Sequence, residues 1–168
     1  EPVPGVTFLT VAPCTTNLLY PWVLNFANAD TGMAISNTSA DPYGTIPQTG
    51  TCTVNLFPTD KTTNNGVSAG GAVSITTAAI QPGSVWRAAM SGTPAFAGLA
   101  GYVIAVCRFQ YGHGFAFITD NFPNSPVTAQ GYLALIIPDP VILTRRSAAA
   151  TGDDVFFGVA PYGEGLTQ

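Results

Sequence analysis

The chain's single histidine, His113, sits in a Gly-His-Gly run shortly after Cys107. A thiol and an imidazole within hydrogen-bond reach make a nucleophile and its base, so a Cys107–His113 pair across a hairpin is the first arrangement to weigh. Against it, Cys107 lies in an apolar strand, where a thiol is normally inert or bridged. Gly66-Val67-Ser68-Ala69-Gly70 has Gly-x-Ser-x-Gly spacing, but it falls in the long polar, Gly-rich connection Pro58–Gly71 and not on the strand-to-helix turn that a nucleophile elbow needs. Paired carboxylates could support glycoside hydrolysis. The nine available are Asp30, Asp41, Asp60, Asp120, Asp139, Asp153, Asp154, Glu1 and Glu164. Six of the nine adjoin Gly, Pro or Asn, where Asp builds turns through its own side chain. Asp153-Asp154 lacks the Asp-rich loop of a calcium hand. With one His and no Cys-x-x-Cys, zinc has no ligand set. Gly70-Gly71 is not followed by the Lys and Ser/Thr of a phosphate loop. The expectation is a protein that is not an enzyme, with no catalytic residue, no metal site and no cofactor.

Binding and modification leave more signal. Tyr20, Trp22, Tyr43, Trp86 and Tyr111 are candidates for a sugar-stacking platform, with Trp22 and Trp86 the sharpest; core packing explains both tryptophans equally well. Asn37-Thr38-Ser39 is a sequon, which makes Asn37 a glycosylation candidate and attached glycans candidate partners.

The elements that carry these residues read as strands. The stretch GYVIAVCRFQYGHGFAFITD, from Gly101 to Asp120, holds two apolar runs, Tyr102–Phe109 and Phe115–Ile118, around glycines that permit a reversal. It reads as a central hairpin covered on both faces. TCTVNLF, from Thr51 to Phe57, places Cys52, Val54 and Leu56 on one face, as a half-buried antiparallel strand does. GMAISNTS alternates likewise, with Met33, Ile35 and Asn37 together. Pro21 within NLLYPWVLNF marks a bulge or an edge. Further strands are expected over Val6–Ala12, Ala72–Ile80, Ser84–Met90, Gln130–Ile137, Val141–Arg145 and Val155–Ala160, with a Gln-Pro-Gly turn at Gln81–Gly83. No stretch combines helical periodicity with a cap. Strand-sized runs between turn residues mean a sandwich or barrel.

Composition narrows the setting. Apolar residues make up 46% of 168 residues and charged ones 8%, against roughly 25% charged in an average soluble domain. Thr, Ser, Asn, Gln, Gly and Pro fill the gap. Such a surface packs against copies of itself without desolvating ions. The formal charge of −4, with five basic residues, excludes the basic footprint that nucleic acid requires. No apolar run reaches the ~20 residues of a spanning helix, so the chain is not expected to span a membrane. Three cysteines, Cys14, Cys52 and Cys107, allow one disulfide and a leftover thiol, or a bond between chains. With lysine nearly absent, they point to an oxidising compartment. The expected location is extracellular or at a cell surface, with any signal peptide already removed.

The succession GMAISNTS, GTCTVNLF, GYVIAVCRF, HGFAFITD resembles Ig-like β-sandwich domains of secreted bacterial proteins of unassigned chemistry, over roughly Asn17–Ile137. The resemblance implies an all-β fold, an Ig-like antiparallel β-sandwich with additional N- and C-terminal strands, and an extracellular setting. It divides the chain into an extended arm over residues 1–13, a sandwich core over 14–140 and a C-terminal extension over 141–168. The surplus terminal strands are similar in arrangement to the donor segments of fibre subunits, which complete a neighbour's sheet through main-chain hydrogen bonds. Val6 and Phe8, or Leu9 and Val11, have the alternate spacing that such insertion needs. The expected function is a secreted structural protein that polymerises with copies of itself by strand exchange. The alternative is a monomeric carbohydrate-binding or adhesive module.

Overall fold

The computed structural model describes residues 15–26, 28–59, 70–120 and 128–137. Val6, Phe8, Leu9, Val11 and Cys14, and the strands expected over Val6–Ala12, Val141–Arg145 and Val155–Ala160, lie outside the described residues.

Among the described residues nine strands follow one another: β1 (Thr16–Leu24), β2 (Ala29–Asn37), β3 (Cys52–Pro58), β4 (Val73–Thr76), β5 (Val85–Ala89), β6 (Ala100–Cys107), β7 (Gly112–Asp120), β8 (Ala129–Leu133) and β9 (Leu135–Ile137). They form two antiparallel sheets, β4-β3-β6-β1-β9 and β5-β2-β7-β8, packed face to face as an all-β sandwich.

The core follows from strand alternation. The five-stranded sheet buries Leu18, Tyr20 and Val23 from β1, Cys52, Val54 and Leu56 from β3, and Val103, Ala105 and Cys107 from β6. The four-stranded sheet answers with Met33, Ile35 and Ala116, and Trp86 packs partly buried against them. Met90 and Phe96, from the segment between β5 and β6, and Phe109 complete the cluster. Cys52 faces Cys107 directly across the β3–β6 ladder, and the two are joined by a disulfide with a Cα–Cα distance of 4.0 Å.

At the expected bulge, Tyr20 pairs with Val103 but Val23 pairs with Gly101, so β1 spends one extra residue there. Proline has no N–H to give the ladder. Tyr20 and Val23 stay inward, and Pro21 and Trp22 both turn to solvent. The Gln81–Gly83 turn also forms: Ser84 N–H donates to Gln81 O, and Gly83 takes φ +74°.

Three expectations about the centre of the chain are corrected. Gly101–Asp120 is not a hairpin: β6 pairs with β1 and β3 in one sheet, and β7 pairs with β2 and β8 in the other. The residues between them cross the sandwich, held by Arg108 N–H on Thr51 O, Gln110 N–H on Gln48 Oε1 and Thr38 N–H on Tyr111 O. Nor is β6 covered on both faces, since Tyr102 and Arg108 are exposed and Ile104 and Val106 only half-buried. Gln130–Ile137, finally, is two strands: β8 pairs with β7, the chain crosses at Ala134, and β9 pairs with β1.

Candidate functional site

The sheets are tied by a polar strut. Tyr20, fully buried on β1, donates its hydroxyl to Ala34 O of β2 at 2.9 Å. A Cβ on Gly114 would stand 2.5 Å from that hydroxyl, so only glycine leaves it room. Burial first, and then the nearby Tyr132, push the Tyr20 hydroxyl far above the ordinary tyrosine range. Half-buried Tyr132, whose hydroxyl donates to Trp22 O, is pushed up to about 12 by burial. Tyr20 is therefore a structural phenol and leaves the list of stacking rings.

A Cys107–His113 nucleophilic pair does not form, because Cys107 is bonded to Cys52. His113 stands exposed on β7, directly opposite Ser36 of β2. The Ser36 hydroxyl donates to the His113 carbonyl at 3.2 Å, not to the imidazole. Two of the carboxylates are structural. Asp30 is buried and accepts from Asn25 Nδ2, Thr31 N, Ser91 N and the Ser91 hydroxyl, pinning the segment after β5 to the start of β2. Asp41 closes a turn by accepting from Thr45 and Tyr43, and the Thr45 hydroxyl bond is the main cause that holds its carboxyl below the usual range. Among the described residues no three His, Cys, Asp or Glu side chains gather to hold a metal. No helix among them is long and apolar enough to cross a membrane, which says nothing of a β-barrel.

Asn37 is 1% exposed. Its amide donates to Gln48 O and Ile80 O, and its oxygen accepts from Ser39. The nitrogen a glycan would need is committed inside the fold. Trp22 and Trp86 are not brought together: Trp22 is 42% exposed on the β1 bulge, and Trp86 packs against the core from β5. Tyr43 and Tyr111 are exposed on separate loops.

Two outward-facing surfaces remain. On the five-stranded sheet, Phe57 of β3 and Tyr102 of β6 lie opposite each other with rings stacked at 4.7 Å and 9°. Tyr102 falls in register with the Pro21–Trp22 bulge of the neighbouring β1, so Phe57, Tyr102 and Trp22 form one cross-strand row. On the four-stranded sheet, the ladders set Ala89, Gly32, Phe117 and Gly131 in one row and Arg87, Ala34, Phe115 and Leu133 in the next. The Phe117 ring lies over Gly32, where a Cβ would come within 2.3 Å of it, and Phe115 leans over Gly131 at 2.6 Å. Between these rings and β5 is an open hollow of about 450 Å³ lined by Gly32, Met33, Ala34, Arg87, Ala88, Ala89, Phe115 and Phe117. Sequence reading passed over this surface: its residues come from three strands, and no local spacing joins Arg87 to Phe115.

The sequence matches no protein-family model and no curated protein. The crystal structure of Thermotoga maritima 1070 is similar in fold, with a TM-score of 0.52 at 10% sequence identity over 71% of this chain and 91% of that one. At that identity the likeness is one of fold alone.

Proposed function

We propose that the chain is a secreted, non-enzymatic structural subunit, Ig-like in its sandwich, that assembles with copies of itself into an extracellular filament by strand exchange. The observation that carries this reading is the character of the sheet edges. Proteins that stay monomeric guard edge strands with charge, proline or bulges. Of the edge strands, β5 carries the charge of Arg87, whereas β4 (VSIT) and β8 (AQGYL) contain none of these. Ala134 N–H donates inward to Gly114 O and Thr128 O accepts inward from Asp120 N–H. Alternate residues of a strand direct their main-chain groups to opposite sides, so Ala129, Gly131 and Leu133 present theirs outward. A neighbour's terminal segment, with Val6 and Phe8 or Leu9 and Val11 as its alternating anchors, is the matching donor, and head-to-tail exchange of that kind builds a fibre. A buried disulfide between core strands suits an oxidising exterior.

The test is electron microscopy of the native protein beside Leu133→Pro, which removes one outward N–H from β8, and a variant lacking residues 1–12. Fibres from the native chain, shortened or lost in either variant, are expected. A field of small monodisperse native particles would end the filament reading.

A second reading, a carbohydrate-binding module, draws on the row of Trp22, Tyr102 and Phe57, since flat exposed rings stack on sugar faces. It requires glycan binding that falls on Trp22→Ala or Tyr102→Ala without loss of folding.

A further inference from the structure

The hollow on the four-stranded sheet combines features that belong together in a small-molecule site. Its floor is low, because Ala34 of β2 and Ala89 of β5 carry only methyl groups on that face, while the Phe117 ring covers Gly32. One wall is aromatic: the Phe115 and Phe117 rings stand 6.5 Å apart, inclined by 30°, and are 43% and 39% exposed. The opposite wall carries Arg87, exposed on β5, two strands away from Phe115 with Ala34 between. Among the described residues no acceptor or carboxylate engages the Arg87 guanidinium. Asp30, beyond the Ala89–Gly32 row on the same sheet, spends its carboxylate on Asn25, Thr31 and Ser91.

A planar guanidinium matches a carboxylate with two parallel N–H donors. Exposed rings offer faces to a flat apolar body. The volume lies within the range of small-ligand clefts, roughly 300–1,000 Å³. We propose that this hollow binds a free aromatic acid, its ring held against Phe115 and Phe117 over the Ala34 and Ala89 floor and its carboxylate paired with Arg87. The charge of Arg87 selects an anion from among flat apolar molecules, and the lack of other polar groups on the walls disfavours sugars and peptides. The site is independent of strand exchange at β4 or β8, which contribute none of its lining residues.

The probe is naphthoate, compared with the neutral naphthamide of nearly the same shape, by calorimetric titration of the full chain. Naphthoate should bind saturably and at least tenfold more tightly than naphthamide. Arg87→Gln, an exposed change that leaves the core untouched, should remove that difference and leave naphthamide binding unchanged. Ala34→Leu, which fills the floor, should abolish both, with the thermal midpoint of each variant checked against the native chain. Absence of saturable naphthoate binding, equal affinity for naphthamide, or full affinity in Arg87→Gln would each overturn the proposal.

Discussion

The two outer faces of the sandwich use the same kinds of side chain and acquire opposite textures. On the five-stranded sheet, Phe57 and Tyr102 oppose each other as equals and stack flat. Beside them Asn55 donates to Ile104 O and accepts from Ser74, so the face is filled and tied down. On the four-stranded sheet, Phe117 has Gly32 as its cross-strand neighbour and Phe115 has Ala34 on one side. With nothing of its own size opposite, a ring leans over the missing side chain and leaves a hollow next to it. What a cross-strand neighbour lacks decides the surface as much as what it has. The five-stranded sheet is also the fastened one, through Cys52–Cys107; the four-stranded sheet has no such bond among the described residues.

The sharpest way to break this contrast is to unfasten the first sheet. The disulfide closes a separation of 55 residues, for which chain-entropy reasoning gives about 4 kcal/mol. The double variant Cys52→Ala/Cys107→Ala should lose about that much in denaturant unfolding, and more if the vacated space stays open. Gly101→Ala comes next. A Cβ there would meet the Phe57 carbonyl oxygen at 2.0 Å, and that obstacle is main chain, which cannot swing away. A loss of about 3 kcal/mol is expected, read as a lowered denaturant midpoint.

The same strands also show how far the sequence could be read. Cys52, Val54 and Leu56 declare their shared face by strict alternation, and Pro21 announces the bulge, because both signals are local. The fate of Gly101–Asp120 was not local. An apolar run, a glycine-containing break and a second apolar run describe a hairpin and a sheet-to-sheet crossing equally well. What decides is whether Cys107 finds Thr16 and Cys52 as neighbours, and those lie far away in the chain. The disulfide pair was illegible for the same reason. The hollow was harder still, since Gly32, Arg87 and Phe117 have meaning only once β5, β2 and β7 lie side by side.

The strut between the sheets gives a pH test. The Tyr20 and Tyr132 hydroxyls are raised above the ordinary value near 10, so folding favours their protonated forms. The stability they contribute is whole below about pH 10 and is lost as pH climbs toward 12 and beyond. Tyr20→Phe should cost about 1 kcal/mol at neutral pH through its lost hydrogen bond and should flatten the alkaline decline in unfolding free energy. The smallest effect belongs to Gly32→Ala. Its obstacle is the far end of the Phe117 ring, which can rotate aside, so stability should shift by less than about 1 kcal/mol. If instead it matched Gly101→Ala, the four-stranded face would be as rigid as its counterpart and the contrast would fail.

The covalent link between β3 and β6 also bears on force. A chain pulled from its two ends carries tension through the Cys52–Cys107 bond and bypasses everything between them. Strands β3, β4, β5 and β6 lie in the bypassed stretch, β3 and β6 supplying the cysteines at its ends, while β1, β2, β7, β8 and β9 lie in the path of the load. Of the extended length those residues could yield, about 190 Å for a separation of 55 residues stays locked away. Oxidised, the domain is a spring with a hard stop; reduced, it would pay out its full contour.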